Sequence, residues 1–346
     1  MNWKVEKGRN YRRRILLCNF TVAVILSAIL LISFLISMNT GYIRLSPLDT
    51  FRTLFGGGTG KEDLILFDFR LPRIVISMLA GVGLALSGCI IQTVLGNPLA
   101  DPGLLGIHAG SGFVVTLYVL FVGTQSFLSA FAMPFLALLG AGATAMLIYA
   151  LAYAGRRQVT PIRLILIGVA LQAGISALTT VTVVRLDETQ YNFVAAWQAG
   201  SIWSGNWKYV LALLPWILII GPYVQSKALV LDILNLGEDV AGSLGVSVQR
   251  QRFFLLTAAV ALAASSVAVT GGIGFVGFIA PHLARRLVGS RHRPLLPICA
   301  LIGAVLVLVS DTVARSIVKP SELPTGIVTA VIGAPYFLYL LKKRRQ

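Results

Sequence analysis

Charge is scarce in this sequence of 346 residues. Only 12% of the residues are charged, whereas 56% are hydrophobic and the mean hydropathy is +0.83. Soluble domains carry about 25% charged residues. The shortage of charge therefore excludes a soluble globular protein and predicts an integral membrane protein.

Cysteine and histidine are also rare. The three cysteines lie far apart, each inside an apolar run, which excludes a disulfide framework and a cysteine metal motif. None of the three histidines, His108, His282 and His292, has a second ligand at metal spacing. The sequence therefore predicts no metal site, and it shows no nucleophile-and-base cluster that would favour a membrane-embedded enzyme.

Acidic residues are nearly missing from the apolar runs, and Asp311 lies at the end of one. An ion-coupled secondary transporter usually needs ionisable groups at depth in the membrane, so this alternative is disfavoured but stays open. The stretch GGGTGK, Gly56 to Lys61, is not a phosphate-binding loop, because Phe55 stands where that motif needs its first glycine and Glu62 follows the lysine. We therefore expect no nucleotide cofactor in this chain.

Long apolar runs are the main feature of the sequence. A helix needs about 20 residues to cross the hydrocarbon core of a bilayer. We predict an all-α polytopic protein with ten spans, of which the third and eighth are interrupted by glycine and proline. The ten runs are 15–38, 72–95, 103–122, 131–154, 161–184, 207–224, 253–270, 273–289, 294–312 and 324–341.

The basic residues set the orientation. With both termini in the cytoplasm, 20 of the 29 Lys and Arg residues fall on the cytoplasmic side, Arg156 and Arg157 among them. The predicted layout is a basic cytoplasmic N-terminus at 1–14, one transmembrane domain at 15–341 and a basic cytoplasmic tail at 342–346. Topology thus explains the net charge of +16 without nucleic acid.

Two outer segments are more than turns. A short interfacial helix is predicted near PLDTFRTLF in residues 42–71. Residues 185–206 are too short and polar for an eleventh span, and their Tyr191, Trp197 and Trp203 are predicted at the membrane–water boundary.

A polar segment, residues 231–252, separates the sixth and seventh runs on the cytoplasmic side. It combines exposed acids with glycines that permit a bend and scattered leucine and valine side chains that offer an apolar surface. We call it the cytoplasmic segment. From composition alone, a solvated loop and a docking surface are equally good interpretations.

Several stretches together resemble one family. They are FRLPRIV at 69–75, GNPLADPGLLGIHAGSG at 96–112, LGEDVAGSLGV at 236–246, VTGGIGFVGFIAPHLARRLVGSRHR at 269–293 and DTVARSIVKPSELPTGIVTAVIGAPYFLYLL at 311–341. In this order they are similar to the iron-siderophore and cobalamin permeases of ATP-binding-cassette (ABC) importers, the FecCD type. The resemblance extends from about residue 40 onward.

The resemblance implies a type II ABC importer permease fold in a bacterial cell membrane. Two such subunits would enclose a path, with two ATPase subunits beneath and a siderophore-binding protein outside. ATP and Mg would bind the ATPase subunits, and this chain would bind no cofactor and would not be an enzyme. The implied cargo is a ferric siderophore, with cobalamin or haem as the alternative.

The resemblance also implies roles for particular residues. The ATPase-coupling residues would be Leu236, Gly237, Glu238, Asp239, Ala241, Leu244 and Gly245. Arg70, Arg73 and Arg315 would be outer-face cations that dock the binding protein, although such arginines also anchor helix ends in lipid. The candidate path-lining residues are Gln172, Ser176 and Thr179, which share a helix face, with Gly271, Gly272 and Gly274.

Overall fold

The structure is a computed structural model that describes residues 2–41, 46–123, 129–153, 160–202, 205–318 and 322–344. Throughout these ranges the chain forms helices and connecting turns, with no β-strand. Arg156, Arg157, Trp203 and the last two residues of the predicted basic tail lie outside the described residues.

Each of the ten predicted runs contains a helix. Seven helices are long and apolar enough to cross a membrane, whereas the helix in the third run has 16 residues, the helix in the eighth has 13, about 20 Å, and the apolar part of the helix in the tenth spans only Thr325–Leu340. The interruption predicted for the third and eighth runs is therefore confirmed. The helices are α1 Asn2–Asn39, α4 Leu71–Val94, α5 Ile107–Val122, α6 Ser129–Tyr153, α7 Pro161–Val183, α9 Trp207–Ser226, α12 Val248–Thr270, α13 Val276–Val288, α14 His292–Ile317 and α15 Thr325–Arg344.

Five shorter helices connect them. The predicted helix near PLDTFRTLF is confirmed as α2, which begins where the Ser46 side chain accepts a hydrogen bond from the Asp49 N–H. The short α3 leads through a π-helical turn at Leu64–Arg70 into α4. The five are α2 Pro47–Leu54, α3 Gly60–Asp63, α8 Glu188–Gln198, α10 Ala228–Leu234 and α11 Glu238–Ser243.

The core surrounds α4, which packs along both α12 and α14. Small residues let the backbones approach: a Cβ atom on Gly81 would lie 2.2 Å from the Gly303 carbonyl oxygen, and one on Gly88 would lie 1.9 Å from that of Gly277. The Ser87 hydroxyl donates to the Ala259 carbonyl of α12 over 2.7 Å. The small residues of α4 therefore place α12, α13 and α14 around it.

The helix α8 places Trp197 inside the bundle, and its predicted depth at the membrane–water boundary stays a prediction. α8 folds back against α5, and Trp197 at its end is only 7% exposed. A Cβ atom on Gly271 would lie 2.0 Å from the Trp197 carbonyl oxygen, and the Gly326 N–H donates to the Gly200 carbonyl. The end of α8 therefore packs on the turn between α12 and α13.

Candidate functional site

The cytoplasmic segment consists of two short helices rather than a loop. The first helix, α10, begins at Ala228, three residues before the predicted segment, and residues 248–252 belong to α12. Gly237 and Gly245 have φ angles of 105° and 82°, so glycine is needed on either side of α11. Gly242 instead lies inside α11, so the bend does not require it.

α11 is anchored on the bundle, and the leucines that flank it are exposed. Ala241 is fully buried, and Glu238 forms an ion pair with the buried Arg252 of α12. Leu236 and Leu244 are 62% and 59% exposed. Asp239 is exposed between them. Exposed leucines at the polar end of a bundle are typical of a surface that another protein covers.

The three predicted docking arginines come together where α4, α14 and the end of α1 meet, which we call the outer arginine cluster. Arg73 Nη2 lies 2.9 Å from Asp311 Oδ1, and Arg73 Nη1 lies 2.7 Å from Glu322 Oε2. Arg315 Nε lies 3.1 Å from Asp311 Oδ2. Arg70 donates to the Met38 carbonyl, and Arg315 donates to the Ser37 hydroxyl over 2.7 Å.

The arginines of the cluster are largely buried, and their predicted role in docking stays a prediction. Arg70 and Arg315 are only 5% and 7% exposed, and Asp311 between the arginines is fully buried. Burying charges in a low-dielectric interior requires paired partners, and Asp311 supplies them. The sequence analysis noted Asp311 only as an acid at the end of an apolar run and did not pair it with the arginines, although its spacing of four residues from Arg315 on one helix was a usable signal.

A cavity of about 420 Å³ lies between α5, α7 and α8. Four of the six candidate path residues line it: Gln172, Ser176, Thr179 and Gly272. Gly271 packs against α8 instead, and Gly274 does not line the cavity.

Two lining residues were not singled out from the sequence. Gln198 lies at the end of α8, and its Nε2 is 3.5 Å from Thr116 Oγ1. His108 lies in the first turn of α5, and its buried Nδ1 has no hydrogen-bond partner among the described residues. The cavity therefore presents amide, hydroxyl and imidazole groups.

Among the residues that the structure describes, no group of three or more His, Cys, Asp or Glu side chains is arranged to hold a metal ion.

Together, these features define a class of protein. A helical bundle with several helices able to cross a membrane, a cavity partly lined by polar groups and an exposed apolar surface on the cytoplasmic segment is the architecture of a membrane transport protein.

Comparison with known proteins identifies the family. The sequence model of the FecCD transport family matches residues 29–343 of this chain. The chain is 47% identical to the iron(3+)-hydroxamate import system permease protein FhuG of Bacillus subtilis (strain 168), over 91% of this chain and 94% of that protein. It is 43% identical to the Fe(3+)-citrate import system permease protein YfmE of the same organism, over 92% and 94%. The chain belongs to the FecCD transport family.

A solved structure agrees with this assignment. A chain of a transporter described as metal-chelate type and inward-facing matches with a TM-score of 0.82 and 33% identity, covering 93% of this chain and 99% of that chain. The resemblance inferred from the motifs is thereby confirmed, as is the all-helical permease fold.

Proposed function

We propose that this chain is the permease subunit of an ATP-driven importer that carries a ferric siderophore across a bacterial cell membrane. The observation that carries the proposal is the 47% identity with an iron(3+)-hydroxamate import permease over almost the whole of both chains. A ferric hydroxamate is therefore the first cargo to test, with ferric citrate as the second candidate because of the 43% identity with a citrate permease.

ATP hydrolysis belongs to separate subunits in this proposal, so the chain is not itself an enzyme and ATP and Mg bind elsewhere. The exposed Leu236 and Leu244 of the cytoplasmic segment support an ATPase contact, since docking would remove both side chains from water. Gly237 and Gly245 shape the segment, while Glu238 and Ala241 hold it on the bundle.

A second permease subunit, identical or related, would complete the path. α7 forms one wall of the cavity, and its outward face exposes apolar side chains such as Leu166 and Val181. In this proposal the partner covers part of α7, and Gln172, Ser176 and Thr179 face the cargo. Weakly binding polar groups suit a path, because tight binding would retain the cargo.

An extracytoplasmic siderophore-binding protein would dock at the outer arginine cluster. Because Arg73 is already paired, the docking acid would have to replace an existing partner. Glu322 suits this exchange, since it is 46% exposed while Asp311 is buried. Charge complementarity of this kind fixes register and speeds encounter.

Uptake of iron tests the cargo. A strain that lacks this gene is supplied with ⁵⁵Fe bound to a hydroxamate siderophore, to citrate or to haem, and labelled cobalamin is tested in parallel. We expect hydroxamate-bound iron uptake to be lost in the deletion strain and restored by the complementing chain. Uptake that is normal in the deletion strain for every chelate would contradict the cargo proposal.

A further inference from the structure

His292 joins three helices at the inner end of the bundle, the end that carries the cytoplasmic segment. It is the first residue of α14 and is 1% exposed. Its Nδ1 lies 2.7 Å from Asp232 Oδ1 of α10, and its Nε2 lies 2.8 Å from Thr93 Oγ1 of α4. Both ring nitrogens are thus engaged, which fixes the orientation of the ring.

Asp232 also caps α14 from a neighbouring helix. The backbone N–H of His292 donates to Asp232 Oδ1 over 2.8 Å. A carboxylate at the N-terminus of a helix is stabilised by the unpaired N–H groups and by the helix dipole. The position of α10 is therefore tied to the start of α14 by two hydrogen bonds to one carboxylate oxygen, not only by apolar packing.

α4 and α14 in turn are joined along their length. Thr93 contacts His292 at the inner end, Gly81 packs against Gly303 near the middle, and the Arg73–Asp311 ion pair closes the outer end. Closely packed interiors transmit displacement because they have little room to deform. We call these two helices the α4–α14 pair.

The α4–α14 pair also reaches α15. The Thr325 hydroxyl, at the first residue of α15, donates to Asp311 Oδ1 over 3.0 Å. A continuous set of hydrogen bonds and close contacts therefore runs from Asp232 at the inner end to the start of α15 at the outer end.

We propose that Asp232 and His292 are positioning residues that transmit displacement of the cytoplasmic segment to the α4–α14 pair, with Thr93 as the receiving group. The proposal rests on the proposed function, since it takes a partner ATPase as the source of the displacement. Apolar contacts alone would let α10 slide along the bundle, whereas hydrogen bonds with fixed geometry resist both sliding and separation.

The test uses the whole transporter in lipid vesicles: this chain with its second permease subunit, ATPase subunits and binding protein, and a ⁵⁵Fe-labelled ferric hydroxamate. Uptake and ATP hydrolysis are measured together. Thr93→Val keeps the shape of the side chain and removes the hydroxyl, whereas Thr93→Ser keeps the hydroxyl. We expect Thr93→Val and Asp232→Ala to lower uptake about tenfold while hydrolysis stays within about twofold of wild type.

Three more variants sharpen the result. Thr93→Ser should keep near-wild-type uptake, and the Asp232→Ala, Thr93→Val double variant should lose little more than either single variant, because both interrupt one link. Gln225→Ala is the matched control: it removes a different bond to the same end of α14, from Gln225 Nε2 to the Arg293 carbonyl over 2.9 Å. We expect Gln225→Ala to transport normally.

The outcomes separate the alternatives. If uptake and hydrolysis fall together with the thermal stability of the complex, the residues are only structural and the proposal is wrong. If the variants transport as wild type does, the link transmits nothing. If the wild-type chain captures no ATPase subunit, the proposed function itself fails, and this result is visible before any variant is made.

Discussion

Arg73 and Asp311 form an ion pair across 238 positions of the chain, with 2.9 Å between Arg73 Nη2 and Asp311 Oδ1. Asp311 also faces Arg315 and accepts a hydrogen bond from Thr325, so one buried carboxylate connects α4, α14 and the start of α15. Buried ion pairs are costly to break because the remaining charge is left without a partner.

Asp311→Ala is expected to destabilise the protein by about 3–5 kcal/mol, since two arginines would lose their buried partner. Glu322→Gln removes a half-exposed partner of the same arginine and should cost about 0–1 kcal/mol. Thermal unfolding of the purified chain in detergent measures both changes. Equal losses for the two variants would contradict this assignment of the central role to Asp311.

Gly88→Ala is expected to destabilise the protein, because the added Cβ would lie 1.9 Å from the Gly277 carbonyl oxygen and force α4 and α13 apart. Overpacking of this kind costs about 1–3 kcal/mol. Gly142→Ala is the matched control, because Gly142 lies inside α6 with no atom within 4 Å of its added Cβ. The midpoint of thermal unfolding should fall for Gly88→Ala and stay level or rise for Gly142→Ala.

The double variant Leu236→Asp, Leu244→Asp tests whether the cytoplasmic segment docks on an ATPase subunit. Both side chains are exposed in the chain alone, so the substitutions should leave its folding intact while they prevent burial against an ATPase. Capture of the ATPase subunit by the affinity-tagged chain should fall at least about tenfold. Leu48→Asp, an exposed leucine of α2, is the control and should not alter capture.

Docking of the binding protein should require the outer arginines. Arg73→Gln is expected to weaken capture of the binding protein, while Asp311 keeps its ion pair with Arg315 and the chain still inserts into the membrane. Glu322→Gln should instead strengthen capture, by about two- to fivefold, because Arg73 then has one competing partner fewer. Surface plasmon resonance on vesicles with the chain measures both. Weaker capture by Glu322→Gln would contradict exchange of Glu322 for a docking acid.

Cargo passage should depend on the space beside α7. Ser176→Trp places a large side chain in the cavity and should reduce uptake of the ferric chelate at least about fivefold without loss of ATP hydrolysis. Leu151→Trp on α6 enlarges an exposed side chain that does not line the cavity and serves as the control. Normal uptake by Ser176→Trp would show that the cargo does not pass this cavity.

The sequence by itself determined the helical membrane fold, the family and the existence of a polar segment between the sixth and seventh runs. These follow from local information: the length of each apolar run sets what crosses a bilayer, and the glycines at 237 and 245 set where the backbone bends. The broken third and eighth runs were visible for the same reason, as glycine and proline disrupt helices wherever they occur.

Only the tertiary structure decided which groups meet. The approach of Gly271 to the Trp197 carbonyl, the pairing of Arg73 with Asp311 and Glu322, and the meeting of Asp232, His292 and Thr93 all join residues distant in sequence. An arginine at a helix end looks the same in the sequence whether it faces water or a buried carboxylate. Apart from the spacing of four residues between Asp311 and Arg315, the electrostatic environment of these arginines depends on how the helices pack, which no local pattern records.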